Sequence, residues 1–171
     1  MKADVIIRLE SAEDFTQVDR INQLVFDGDA EMQVVQQIRG SKQLILSLVA
    51  ELDRFIVGHI LFSRGFIQTA DCLVPSIALG PMGVHPDFQR KGMGSHLVLE
   101  GLTKLRESGE QHCFVLGHTW FYPKFGFKPA KHWQIDSVYQ ADDHFMGLEI
   151  APEALHEIRG RFLFPEAFDG V

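Results

Sequence analysis

Gln89-Arg90-Lys91-Gly92-Met93-Gly94-Ser95 is the stretch on which the reading of this chain turns. A strand-like apolar run, Ile77 to Val84, leads into it through His85-Pro86-Asp87-Phe88, and an amphipathic helix opens directly after the glycines. The first amides of a helix have no acceptor within the helix. With the positive end of the helix dipole behind them they form an anion site, for phosphate above all. Arg90 and Lys91 set two charges beside that site. The loop is therefore expected to receive a ligand that carries phosphate.

Spacing separates the kinds of phosphate loop. A P-loop needs G-x-x-x-x-G-K followed by Ser or Thr, and no such string occurs. A dinucleotide fingerprint needs a third glycine three residues after Gly94, where Leu97 stands. What remains is Q-x-x-G-x-G between a strand and a helix. That pattern resembles the acyl-CoA pyrophosphate loop of the GNAT N-acetyltransferase superfamily, whose signature is Arg or Gln, two residues, Gly, one residue, then Gly or Ala.

Size and composition agree with an enzyme of that kind. A length of 171 residues suits one domain, residues 1–171, with a full core. The formal charge of −7 argues against a nucleic-acid binder, which needs a basic surface. Cys72 and Cys113 lie in or beside apolar runs without a C-x-x-C spacing, which reads as two reduced, buried thiols. No apolar run approaches the ~20 residues of a membrane span. Met1-Lys2-Ala3-Asp4-Val5 lacks the apolar core of a signal peptide, so a cytoplasmic protein is expected.

Periodicity gives the order of elements. Val5 to Leu9 reads as a strand, and Ser11 with Asp14 caps a helix that runs to about Phe26. Ala30 to Arg39 is a second helix. Leu44 to Leu52 and Phe55 to Phe66 form a hairpin about Asp53-Arg54. Leu73 to Val84 is apolar but broken by Pro75, Gly80, Pro81 and Gly83, the mark of a bulged strand. Lys91 to about Glu107 is the long helix, and Cys113 to Gly117 a buried strand reached by a right-handed crossover. Pro123 to Phe125 makes one helical turn; Phe127 to Ile135 and Phe145 to Ile150 are strands. Pro152 opens a short helix to Ile158, and the apolar tail Arg161 to Phe168 packs.

This order, β-α-α-β-β-β-α-β-α-β-β, resembles the same superfamily along nearly the whole chain. The Phe145-Met146-Gly147-Leu148-Glu149-Ile150 strand and aromatic tail are similar to its YhbS-like branch. The resemblance implies an α/β fold with a mixed, mostly antiparallel sheet, a splayed parallel strand pair and helices on both faces. It implies acetyl-CoA as cosubstrate and transfer to a primary amine in a ternary complex. Gln89, Arg90, Lys91, Gly92, Met93, Gly94 and Ser95 would hold the pyrophosphate. The amide of Met82 would meet the thioester carbonyl, and the backbone of Val84 the pantetheine arm.

Trp120-Phe121-Tyr122-Pro123-Lys124-Phe125-Gly126-Phe127 resembles the family's Y-x-x-x-G-F element, which makes Tyr122 the general acid for the departing thiolate. A phenol with a pKa near 10 stays protonated at neutral pH, as that role needs. The family's glutamate base would fall at Ala78, so a water, or His118, is left for that role, with Glu51 and His59 behind it. Glu149 could instead grip a substrate ammonium. The eight histidines show no metal-ligand spacing, and no metal is expected. The acceptor, a small molecule or peptide amine, would be walled by Phe15 to Arg39. No nucleic-acid or membrane partner is implied, and a homodimer is compatible with the reading. Because no carboxylate stands at Ala78, a non-catalytic CoA-binding module on the same fold is the alternative.

Overall fold

The structure is a computed structural model and describes residues 4–139 and 141–171. Met1-Lys2-Ala3, on which the leader expectation partly rests, lie outside the described residues. The chain runs β1 (Ile6–Leu9), α1 (Phe15–Phe26), α2 (Ala30–Arg39), β2 (Leu44–Leu52), β3 (Phe55–Gln68) and β4 (Leu73–Val84). It continues through α3 (Met93–Glu107), β5 (His112–Leu116), β6 (Lys128–Pro129), β7 (Ile135–Ser137), β8 (Phe145–Glu149) and β9 (Gly160–Leu163). The sheet order is β1-β2-β3-β4-β5-β8-β6, with β9 pairing β3 and β7. Pairs β4–β5 and β7–β9 are parallel; β1–β2, β3–β9, β5–β8 and β6–β8 are antiparallel.

Contacts divide the chain into two compact units, with β3, β4 and α3 passing from one to the other. The first takes residues up to Phe62, then Pro81–Gly101 and Ala167–Val171. In it the apolar stripes of α1 (Val18, Ile21) and α2 (Val34, Val35, Ile38) bury against the sheet. Such amphipathic faces drive the packing because each buried aliphatic side chain contributes about 1.5–3 kcal/mol. Asp14 accepts the Ser11 N–H at 2.7 Å and so closes a 3-10 turn over Ala12–Asp14 that leads into α1, the cap read from the sequence. Asp27, in the left-handed region at φ 53°, ends the helix. α3 covers the other face of this part of the sheet: a Cβ at Gly58 would lie 3.1 Å from Leu97. The β2–β3 turn has Asp53 and Arg54 at φ 49° and 69°, the two left-handed residues of a tight hairpin.

The bulge expected in β4 is visible in its hydrogen bonds. The hairpin closes with Thr69 N–H donating to Cys72 O at 2.9 Å. An unbroken antiparallel ladder from that pair would set Val57 opposite Val84, since hydrogen-bonded pairs recur every second residue. Instead His85 N–H donates to Val57 O at 2.8 Å. β4 therefore carries one extra residue, and Gly80, at φ 131°, supplies the conformation that allows it. The parallel register with β5 covers Ile77 to Leu79 and stops just before this glycine.

The second unit, Ser63–Gly80 and Leu102–Glu166, is built on aromatic packing. Phe114 lies 4.7 Å from Phe162 and 5.6 Å from Phe145, ring centre to ring centre. Three expectations fail here. Phe127 to Ile135 is not one strand: it breaks into β6, a 3-10 turn over Ala130–Trp133, and β7. Pro129, the last residue of β6, donates no amide, and Gln134 sits in the left-handed region at φ 58°, so the ladder is not carried on from β6 into β7. Pro152 to Ile158 is a series of turns rather than a helix, with Glu153 and Glu157 at φ 57° and 66°. The apolar tail packs as expected and does so as β9, with Phe162 opposite Ile67. Cys113 is buried as expected, but Cys72 is exposed in the β3–β4 turn.

Candidate active site

The first unit carries Gln89 to Ser95, the loop read from the sequence as a phosphate site. A 3-10 turn, Pro86–Phe88, follows β4, and His85 Nδ1 accepts the Asp87 N–H at its start (3.2 Å). Gln89 Nε2 donates to Val84 O at 2.9 Å, tying the loop to the strand before it. Arg90 is exposed and takes φ 60°, which turns the chain toward the helix. Lys91 Nζ donates to Asp87 O at 2.9 Å, so this ammonium also braces the turn. His96 N–H bonds Gly92 O at 3.0 Å. The amides of Met93, Gly94 and Ser95 precede that first bond, in the turn where helix amides lack internal acceptors.

Gly92 provides the test of fit for a phosphate group. Its φ of 87° is one that side chains rarely adopt, and a Cβ built there would meet nothing within 4 Å. The glycine is thus not demanded by internal packing; it leaves the amides open to an anion. Met82, Gly83 and Val84 precede the loop, with Gly83 and Val84 buried and Met82 half-buried. Met82 and Val84 bring backbone to the strand end beyond the bulge, and their side chains need contribute nothing.

Tyr122 belongs to the second unit, on a 3-10 turn Tyr122–Phe125 closed by Gly126 at φ 99°. Its N–H donates to His118 O at 3.3 Å. The ring lies on Gly117, where a Cβ would come within 2.3 Å of Tyr122 Cε2. Phe121 and Phe127 stand at 5.0 and 5.5 Å from it. Only 6% of the residue is exposed. Burial, with Cys113 adding to it, pushes the phenol above its ordinary pKa, so it keeps its proton at neutral pH.

The base candidates are dispersed. Ala78 is fully buried in an aromatic core and pairs with Phe114 of β5. His118 is exposed and stacks on Trp120 at 5.2 Å. Glu51 is taken up by Arg8 at 2.6 Å. His59 is wholly buried, and that burial lowers its pKa to about 3. Glu149 Oε2 accepts the Leu155 N–H at 3.0 Å, which holds the turn after β8. Among the described residues no group of three or more His, Cys, Asp or Glu could hold a metal ion, and no helix is long and apolar enough to cross a membrane.

Comparison with known proteins identifies the family. The family model for the acetyltransferase (GNAT) domain matches residues 44–129, half of the chain and the segment that holds the loop. YhbS of Escherichia coli, an uncharacterized N-acetyltransferase, is 29% identical over 167 residues, 96% of this chain and 99% of its own. The crystal structure of YhbS with CoA superimposes with a TM-score of 0.93 over 99% of this chain and 94% of that one, at 27% identity. A GNAT acetyltransferase of Brucella melitensis in complex with acetyl-CoA gives 0.81 at 31% identity, over 98% of this chain and 99% of that one. The chain belongs to the GNAT acetyltransferase family, and it is an acetyltransferase with that family's mixed-sheet fold.

Proposed function

We propose that residues 1–171 act as a single GNAT domain that transfers an acetyl group from acetyl-CoA to a primary amine, directly, in a ternary complex. The observation that carries this is the open amide turn at the start of α3, with Gly92 at φ 87° and nothing within 4 Å of its Cβ direction. Gln89 to Ser95 would hold the pyrophosphate, and the backbone of Met82 and Val84 the arm beyond it. The cosubstrate supplies an acyl group already activated as a thioester.

The chain's own work is alignment and proton handling. Bringing amine and acyl carbon together removes much of the entropic barrier to a reaction between two molecules. Met82 N–H donates to the thioester carbonyl, and one such donor contributes roughly 3 kcal/mol to the transition state. As the amine nitrogen bonds to carbon and the carbon–sulfur bond breaks, Tyr122 Oη passes its proton to sulfur. The amine proton leaves to water or to the exposed His118 ring.

The test is calorimetric titration with acetyl-CoA, followed by CoA release against a panel of primary amines. Binding and release by at least one amine are expected. Absence of binding would remove the assignment of the loop. Binding without release by any amine would favour the non-catalytic CoA-binding module, the reading to which Ala78 at the base position lends weight. The acceptor would be a small molecule or a peptide amine terminus.

A further inference from the structure

A chain of buried polar side chains joins α1 to the sheet at a place the transfer chemistry does not use. Asn22 Nδ2 donates to Val18 O at 3.0 Å and lies 3.5 Å from His59 Nδ1. His59 Nε2 meets Ser47 Oγ at 2.9 Å, and Ser47 Oγ donates to Glu10 Oε2 at 2.7 Å. Arg39 closes the chain, reaching Glu10 Oε1 at 2.6 Å and Asp19 Oδ1 at 3.2 Å. One proton arrangement accounts for these bonds, while Asn22 Oδ1 and Arg39 Nε have no partner among the described residues. Ser47 gives its only proton to the carboxylate, so His59 donates from Nε2, and the lone pair on Nδ1 accepts from Asn22. Asn22 and His59 are both fully buried. Hydrogen bonds are directional where apolar contact is not, so this chain fixes where α1 lies along β3.

What α1 covers there is the strand end before the phosphate loop. The Val57–His85 bond puts His59 opposite Gly83, two residues along each strand. A Cβ at Gly83 would lie 3.4 Å from Ile21 Cγ2 and 3.4 Å from Val25 Cγ2. Ile21 adjoins Asn22, and Val25 follows it by three residues, so the anchored residue sits between the two that touch the strand.

We infer that Ile21 and Val25, held over Gly83 by the Asn22–His59–Ser47 chain, form an acyl-length stop that admits acetyl and excludes longer acyl groups. The inference rests on the proposed role of Met82. If its N–H meets the thioester carbonyl, the acyl carbon lies beside it, about 3.8 Å of chain from Gly83. On the α1 side the next residue, Gly83, is covered by the two branched aliphatic side chains. Each methylene refused by an apolar pocket is worth roughly 10- to 200-fold in discrimination.

Calorimetry with acetyl-CoA, hexanoyl-CoA and adenosine 3′,5′-bisphosphate tests it. The bisphosphate carries phosphate but no acyl arm. The wild type is expected to bind acetyl-CoA at least tenfold more tightly than hexanoyl-CoA. Val25→Ala should reduce that ratio at least fivefold by opening the stop. Asn22→Leu should reduce it by releasing α1. Neither should move bisphosphate affinity more than twofold. Equal affinity for the two thioesters in the wild type, or a ratio unchanged by Val25→Ala, would overturn the inference while leaving the proposed function standing. Should Asn22→Leu fail to fold, Val25→Ala alone decides. No binding of either acetyl-CoA or the bisphosphate would remove the proposed function itself, and the inference with it.

Discussion

At the scale of single residues, Tyr122 and two glycines carry the sharpest expectations. Tyr122→Phe removes only the hydroxyl, so acetyl-CoA affinity should stay within twofold while kcat falls on the order of 10²–10⁴-fold, the usual contribution of a positioned acid. Full turnover in that variant would take the role away from Tyr122. Gly117→Ala should resemble it, because the added methyl would come within 2.3 Å of the Tyr122 ring and displace it. Gly92→Asp combines a strained φ with a carboxylate in an anion site and should abolish binding of acetyl-CoA. Gly92→Asn separates the two effects: asparagine tolerates the left-handed region and carries no charge, so part of the affinity should return. Unchanged binding by Gly92→Asp in a titration would count against the phosphate assignment. The spacing of Gln89, Gly92 and Gly94, on which the proposed loop rests, was legible in the sequence because it lies within a few consecutive residues. The ring contact between Tyr122 and Gly117 was not, because it is a packing fact.

At the scale of elements, three buried or paired groups tie strands and helices to pH. His59 on β3 and His112 on β5 are held neutral by burial, His59 with a pKa lowered to about 3. In the unfolded chain a histidine takes up its proton near ~6.5. As pH falls below that value, protons bind only to the unfolded chain, so stability is complete above it and declines toward the folded values. Asp14 adds a second, lower window. The Arg8 guanidinium and the Ser11 amide hold its carboxyl at about 2, so its contribution is present above ~3.9 and lost as pH falls toward 2. Urea unfolding at pH 7, 5.5 and 4.5 should show a steady loss, and a His59→Gln/His112→Gln variant a shallower one. Equal slopes would show that neither imidazole is protected by the fold. The elements themselves were largely readable where a single period runs long, as in α1, α2, α3 and β2. β6 and β7 were not, since Phe127 to Ile135 is apolar enough for a strand yet is interrupted by Pro129 and a left-handed Gln134. β9 was hidden because four residues of an aromatic tail carry too little pattern to pair them with β3.

For the whole molecule, the two compact units share β3, β4 and α3. Neither can unfold without unravelling strands that the other needs, so thermal unfolding by calorimetry should give one transition. Two separate transitions would divide the chain into independent domains. The formal charge of −7 should make weak binding of nucleic acid undetectable at physiological salt, whereas the proposed site for acetyl-CoA is a local loop that needs no basic surface. By itself the sequence determined the family fold, the hairpin turn at Asp53-Arg54 and the presence of a bulge in β4, and it carried the glycine spacing on which the proposed phosphate loop rests. All of these depend on residues close together in the chain: glycines at set intervals, alternating apolar positions and breakers within an apolar run. Only the tertiary structure decided which register the bulge produces, and hence that His59 stands opposite Gly83. It alone showed that Asn22, Ser47 and Glu10 join His59 in one buried chain, and that Ile21 and Val25 rest on Gly83. The physical reason is that a hydrogen bond or a van der Waals contact depends on distance in space. Residues 37 positions apart, such as Asn22 and His59, leave no trace of their meeting in local pattern.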